Sequence, residues 1–235
     1  RSDSAQPFGD SVMNGTIYRF SAQPEELEIP RREALRYLGC RGEADADLLA
    51  LVEDCERELR AALTLRACFT RVTVDFPAEN IIKLDEYEIE SRSLALNLRG
   101  CGEAFLFAST LGAGVDRLIA RAGRISAARG VVTDALASAA AESWCAQVNA
   151  KLDAGELFLR PRYSPGYGDT ALEHQVFFLE RLDTARQIGL SVTATGMMTP
   201  VKSVTAVAGL SPTPVRCKAQ TGCAVCGLAD CPYRK

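Results

Sequence analysis

The chain has 235 residues, 47% of them apolar and 24% charged, with a net charge of −3. That balance suits one large folded domain or two small ones, not a disordered chain. Acidic and basic residues are interspersed, as in Cys55-Glu56-Arg57-Glu58-Leu59-Arg60, so the dense basic patch of a nucleic-acid binder is missing, and no apolar run reaches the ~20 residues that span a bilayer.

In chain order, Thr16 to Phe20 alternates and predicts a short strand. Pro30 precedes a short helix, Arg31 to Leu38, ended by Gly39. Asp45 to Leu65 is amphipathic: Leu48, Leu51, Val52, Cys55, Leu59, Ala62 and Leu63 share one face, with Glu and Arg on the other. Phe69 to Phe76 alternates as a strand ended by Pro77, and Ile81 to Ile89 predicts one or two more. Ser91 to Leu98 reads as a short helix and Ala104 to Ser109 as a buried strand. Gly112 to Gly114 leads into a helix over Val115 to Ala122. Val131 to Leu152 predicts a long helix whose small residues, Ala135 to Ala141, permit close approach by another element. Glu173 to Leu182 predicts a further helix and Val201 to Leu210 a last core strand. Helices and strands mix without βαβ alternation, which favours an α+β fold.

Of nine cysteines, Cys40, Cys55, Cys68, Cys101 and Cys145 are scattered singly. The other four, Cys217, Cys223, Cys226 and Cys231, crowd the C-terminal tail with C-x5-C-x2-C-x4-C spacing, followed by Pro232. Such placement predicts a reduced, cytoplasmic protein with one metal-type cluster, not a disulfide scaffold. Four neighbouring thiolates repel unless a metal neutralises them or they oxidise in pairs. They suit a [4Fe–4S] cluster, toward which the terminal Cys-Pro leans, or structural Zn.

Three other stretches carry candidate chemistry. Thr110-Leu111-Gly112-Ala113-Gly114-Val115-Asp116 is either a phosphate-binding turn or a tight strand-to-helix junction; it lacks a third glycine, which favours the junction. Arg162-Tyr163-Ser164-Pro165-Gly166-Tyr167-Gly168-Asp169 is a turn stiffened by Pro165 and opened by Gly166. It carries a guanidinium fork suited to a carboxylate and a tyrosine ring. On chemistry alone it is equally a ligand loop or a structural turn. Glu142 follows the small-residue stretch and is either a partnered acid or a solvated helix residue. His174, the only histidine, is given no role, and no Ser-His-Asp grouping is visible.

Arg162-Tyr163-Ser164-Pro165-Gly166-Tyr167 resembles the Arg-x-x-Pro-Gly-Tyr loop of the activation (reactivation) domain of cobalamin-dependent methionine synthase. Ile188 to Thr193 resembles that family's Ile-Gly-x-x-Leu-Thr segment, and Pro200 to Ala206, with Ser203, its Pro-x-x-Ser-Val-Ser strand. The helix around Ala135-Leu136-Ala137-Ser138 and Glu142 resembles the one preceding the loop. The resemblance extends from about Leu84 to Leu210 and suggests a stand-alone version of a domain usually fused to its enzyme. Tyr163-Ser164 and Gly168-Asp169 depart from the fused enzyme's loop, and the cysteine tail is foreign to it.

The resemblance implies an α+β fold with a mixed, mostly antiparallel twisted sheet. It divides the chain into an N-terminal region over 1–83, a core over 84–215 and the tail over 216–235. It implies reductive reactivation of a methionine synthase, or another corrinoid methyltransferase, as an enzyme component. S-adenosylmethionine would be bound, and the partner's cob(II)alamin reduced by a flavodoxin- or ferredoxin-type donor and remethylated. Arg162 would hold the ligand's carboxylate, Pro165 and Gly166 would shape its adenine side, and Glu142 would supply an acidic contact. Tyr167 would face the sulfonium or the corrinoid, and Ser203 the corrinoid. The alternative is an iron–sulfur electron-transfer activator or adaptor acting through Cys217, Cys223, Cys226 and Cys231.

Overall fold

A computed structural model describes residues 15–214 except 41 and 153. Its elements, in chain order, begin with β1 (Tyr18–Ala22), α1 (Arg31–Tyr37), α2 (Ala46–Ala62), β2 (Leu65–Ala78), β3 (Ile81–Leu84), β4 (Tyr87–Glu90), α3 (Arg92–Leu98) and β5 (Glu103–Thr110). They continue with α4 (Ala113–Ile125), α5 (Ala127–Lys151), β6 (Phe158–Leu159), α6 (Gln175–Arg181), α7 (Thr184–Ile188), β7 (Ser191–Val192), β8 (Met198–Thr199) and β9 (Ser203–Ser211). The main sheet has the order β4-β3-β2-β5-β9-β6, with β1 also paired to β2, and β7-β8 form a separate ribbon. Among the described residues each strand pairing is antiparallel. β2 runs beside β5 from Arg66↔Thr110 to Thr73↔Glu103, so strands from before and after residue 83 share one sheet.

Alternation along the central strands explains the layers, because successive strand residues face opposite sides of a sheet. Phe105 and Phe107 of β5 join Phe69 of β2 beneath α2, α4 and α5. Ala104, Leu106 and Ala108 face the other way, toward α3, α6 and α7. A strand buried on both faces reads as a continuous apolar run, as β5 does. Trp144 of α5 anchors the first layer: its ring stacks on Phe20 at 5.2 Å and its N–H donates to the Arg66 carbonyl at 3.2 Å.

Element ends follow local chemistry. Asp45 accepts the Leu48 N–H as the N-cap of α2, and Ser91 accepts the Leu94 N–H as that of α3. The helix from Asp45 stops at Ala62, short of Leu65. The apolar positions Leu63 and Leu65 extend its periodicity, but the Thr64 N–H donates to the Leu111 carbonyl and Leu65 already pairs with Ala22. β2 also runs past its expected end, through Pro77, because a register irregularity between Asp75 and Ala78 takes the proline out of the ladder.

Candidate functional site

The site begins where β5 ends and β9 starts, at the Thr110↔Ser203 pair. The chain approaches it along the free edge of β9. Leu159 pairs with Leu210, the Arg160 N–H donates to Gly209, and Tyr163 exchanges both backbone hydrogen bonds with Val207 at 2.9 and 2.8 Å. Strand alternation then separates two neighbours. Tyr163 packs against the α3/α6 layer, while Arg162 reaches Glu142 of α5 on the opposite face.

The turn after Arg162 is closed by its own hydrogen bonds. The Gly166 N–H donates to Thr170, the Tyr167 N–H to Ser164 and the Thr170 N–H to Tyr167. Gly166 and Gly168 take positive φ values of 87° and 56°, which disfavour any side chain. A Cβ on Gly168 would also lie 2.8 Å from both the Ser93 and Tyr163 hydroxyl oxygens. The Tyr163 hydroxyl donates to the Tyr167 carbonyl at 2.7 Å. Asp169 ties the turn to α3, accepting from the Ser91 hydroxyl at 2.7 Å, the Arg92 N–H at 2.9 Å and the Ser93 N–H at 3.1 Å. The Ser91 hydroxyl, followed by the Ser93 and Arg92 groups, holds this carboxyl far below its ordinary range despite partial desolvation.

The Arg162 guanidinium sits 29% exposed between the surface and Cys145. Its Nη2 lies 3.3 Å from Glu142 Oε2, and its Nη1 is enclosed without an acceptor among the described residues. Glu142 is 59% exposed, so this ion pair is a weak hold. Below it, burial pushes the Cys145 thiol up to about 11, with the guanidinium acting in the opposite sense. Cys145 is therefore a neutral, inert floor. Tyr37 of α1 closes the far side, its hydroxyl pushed up by burial and then by the charge of Glu142. From here a groove of about 730 Å³ runs along α5, lined by Glu142, Ser138 and Asp134 on one wall and by Tyr37, Lys202 and Ser203 among others.

No family model and no curated protein matches the sequence. Among solved structures, the chain matches a crystal structure of a MetH reactivation domain bound to AdoHcy, with a TM-score of 0.63 and 15% identity, over 87% of this chain and 81% of that one. The fold is that of the MetH reactivation domain. The α+β class and the mostly antiparallel sheet expected from the loop resemblance are both present.

Within this reactivation-domain fold, Arg162 meets Glu142 at the surface, and Tyr167 stands exposed on the turn that follows Arg162. Tyr167 is 66% exposed, and the Glu142 carboxylate acts on the Tyr37 hydroxyl. Pro165 is buried beneath the turn and Gly166 is exposed at it. Ser203 lines the groove, but its hydroxyl is buried, donating to the Pro200 carbonyl at 2.7 Å and lying 2.8 Å from Thr110 Oγ1. Cys217, Cys223, Cys226 and Cys231 fall outside the described residues, among which no group of His, Cys, Asp or Glu is arranged to hold a metal. No described helix is long and apolar enough to cross a membrane.

The Gly112–Gly114 stretch is a packing junction. A Cβ on Gly114 would lie 2.5 Å from the Ala62 carbonyl, one on Gly112 2.8 Å from Thr64 Cβ, and Asp116 accepts the Val201 N–H at 2.9 Å. His174 contacts the Tyr87 hydroxyl at 3.0 Å. Of the groove residues, Asp134 and Tyr37 were not singled out in the sequence, and Ser138 and Lys202 only as parts of the resembling stretches, without a site role. Spacing by four along α5 was the available signal for Asp134, Ser138 and Glu142; nothing local marked Lys202 or Tyr37.

Proposed function

We propose that this protein binds S-adenosylmethionine at the Arg162 loop and presents its methyl group to a corrinoid carried by a methionine synthase or a related methyltransferase. The observation that carries the reading is the enclosed, uncommitted Arg162 Nη1 beside Glu142 at the groove mouth. A planar guanidinium with free N–H donors suits a carboxylate, and a neighbouring carboxylate suits an α-ammonium group. An Arg–Glu pair thus matches both charges of an amino-acid zwitterion. Pro165 and Gly166 form the turn from which Arg162 and Tyr167 project. The exposed Tyr167 ring offers a π face to a sulfonium or to an approaching corrin. The fold shared with an AdoHcy-bound reactivation domain supports this assignment.

The reaction follows from the ligand. A one-electron donor of flavodoxin or ferredoxin type reduces the substrate cob(II)alamin to cob(I)alamin. The cobalt then attacks the sulfonium methyl; the S–CH3 bond breaks, a Co–CH3 bond forms, and AdoHcy leaves. This step needs no protein nucleophile or base. The chain contributes position: holding the two reactants face to face converts a bimolecular encounter into an oriented one.

The test is remethylation of cob(II)alamin on a methionine synthase lacking its own reactivation domain, with a reductant present. Activity should require both this protein and S-adenosylmethionine. Equal activity when the protein is omitted would refute the reading.

A second reading rests on the tail. The buried Cys55, Cys68, Cys101 and Cys145 are single core residues, with Cys68 pushed up to about 12 by burial and then by Asp183. Cys217, Cys223, Cys226 and Cys231 are instead closely spaced in the sequence, a four-thiol donor set suited to [4Fe–4S] or Zn. A [4Fe–4S] cluster there would supply one-electron chemistry, and Zn only a structural clip. Iron and sulfide in anaerobically purified protein would favour the former, and zinc the latter.

A further inference from the structure

Four residues in and beside the loop have no ligand contact in the reading above: Tyr163, Gly168, Asp169 and Thr170. Tyr163 and Gly168-Asp169 are also where the loop departs from the motif it resembles. They engage one another and α3 instead. The Tyr163 hydroxyl donates to the Tyr167 carbonyl at 2.7 Å and lies 3.2 Å from Thr170 Oγ1. The Thr170 hydroxyl donates to Ser91 Oγ at 2.6 Å, and the Ser91 hydroxyl donates to Asp169 Oδ1 at 2.7 Å. Thr170 and Ser91 are both buried, so this relay is shielded from water. Gly168 makes the arrangement possible. A Cβ there would stand 2.8 Å from both the Tyr163 and Ser93 hydroxyl oxygens and would push Tyr163 off the Tyr167 carbonyl.

The clasp has two fixed anchors. Tyr163 is held to β9 by its two backbone hydrogen bonds with Val207, and Ser91 caps α3. Between them only Pro165 is buried, and residues 166–169 are exposed. A segment with so few buried contacts opens easily unless hydrogen bonds close it. We propose that Tyr163, Ser91 and Asp169 are positioning residues, which hold the Arg162–Tyr167 loop in its binding form before a ligand arrives. This rests on the proposed function, in which Arg162 and Tyr167 meet S-adenosylmethionine. A loop that is closed for only a fraction of the time binds more weakly by that fraction. The loss appears as slower association, because fewer chains are competent when the ligand arrives, whereas a lost ligand contact appears as faster dissociation.

The test uses the full chain carrying Tyr163→Phe, Asp169→Ala or both. Amide hydrogen exchange without ligand reads the loop at Gly166 and Tyr167, whose N–H groups donate to the Thr170 and Ser164 carbonyls. One hydrogen bond of ordinary strength is worth about fivefold in an equilibrium, so exchange at both amides should speed up about fivefold in Tyr163→Phe and further in the double variant. Surface plasmon resonance with AdoHcy should show association slowed at least threefold in the double variant, with dissociation within twofold of wild type. Circular dichroism melts check that each variant is folded. Wild-type exchange or wild-type association in the folded double variant, or an affinity loss carried by dissociation, overturns the positioning role and leaves the proposed function standing. No binding of AdoHcy by the wild-type chain overturns both.

Discussion

Arg162 acts through its setting. It leaves the β9 edge on the α5 side because Tyr163, its neighbour, is paired with Val207 and faces the other layer. Lysine could carry the charge there but not the planar fork, so Arg162→Lys should retain the fold and lose at least tenfold in AdoHcy affinity; unchanged affinity in titration would show that charge alone suffices. Asp169 is the second residue whose role the structure defines. It caps α3 from across the turn, and a lost cap costs about 1 kcal/mol, equivalent to about 2–4 °C in Tm for a chain of this size. Asp169→Ala should therefore melt lower by about that amount at pH 7. Its folded pKa lies below the unfolded value of about 3.9, so the contribution is present above that pH and fades as pH falls through the folded value. Melts of wild type and Asp169→Ala should differ by a constant amount down to about pH 5, and the gap should shrink progressively as pH falls below about 4 toward the folded value. A gap that does not shrink at all between pH 5 and the lowest pH at which both chains stay folded would assign the effect to packing. The Arg162, Pro165, Gly166 and Tyr167 signature was legible because its residue types are rare in combination. The clasp formed by Tyr163, Asp169 and Ser91 was not, since Ser91 lies 78 residues from Asp169.

At the scale of elements, the α4 junction gives the clearest prediction. Gly114→Ala places a methyl 2.5 Å from the Ala62 carbonyl at the end of α2, where backbone cannot yield cheaply. Overpacking of this kind costs about 1–3 kcal/mol, so the urea midpoint should fall, whereas Gly102→Ala, with nothing within 4 Å of the new methyl, should leave it close to wild type. Equal midpoints would mean that α4 shifts freely against α2. The same junction marks what periodicity conveys. α2 was readable from one-faced apolar spacing, α4 from the glycines that lead into it, α5 from its long stretch rich in small residues, and β5 from its short apolar run. α7 has five residues and β6, β7 and β8 two each, too short for a period to register. The Glu173 helix opens instead as a 3-10 turn over Leu172–His174 before α6. The α2–β2 boundary was missed because Leu63 and Leu65 suit a helix face as well as a strand, and only pairing with β1 and β5 distinguishes the two.

Across the whole molecule, β9 has its two ends at different places. Ser203 begins it beside the groove, and Ser211 ends it beside Phe158. Nine residues of strand span about 26 Å at about 3.3 Å per step. Ser211 therefore lies at the end of β9 opposite Ser203 and the groove, and Arg162, next to the Tyr163↔Val207 bridge, stands between the two. Both core layers are built from residues between Leu27 and Leu210, so the described fold has its hydrophobic support before the four-thiol segment begins. A chain ending at residue 214 should fold, and so should the Cys217, Cys223, Cys226 and Cys231→Ser variant. Both should bind AdoHcy within twofold of the full chain, and metal carried by the full chain should be absent from both. With titanium(III) citrate as a small-molecule electron source, remethylation should proceed at the wild-type rate in each, because the groove among the described residues is lined by Tyr37 to Val204. A large loss of AdoHcy affinity in a folded truncated chain would mean that the tail reaches back across the sheet to complete the site.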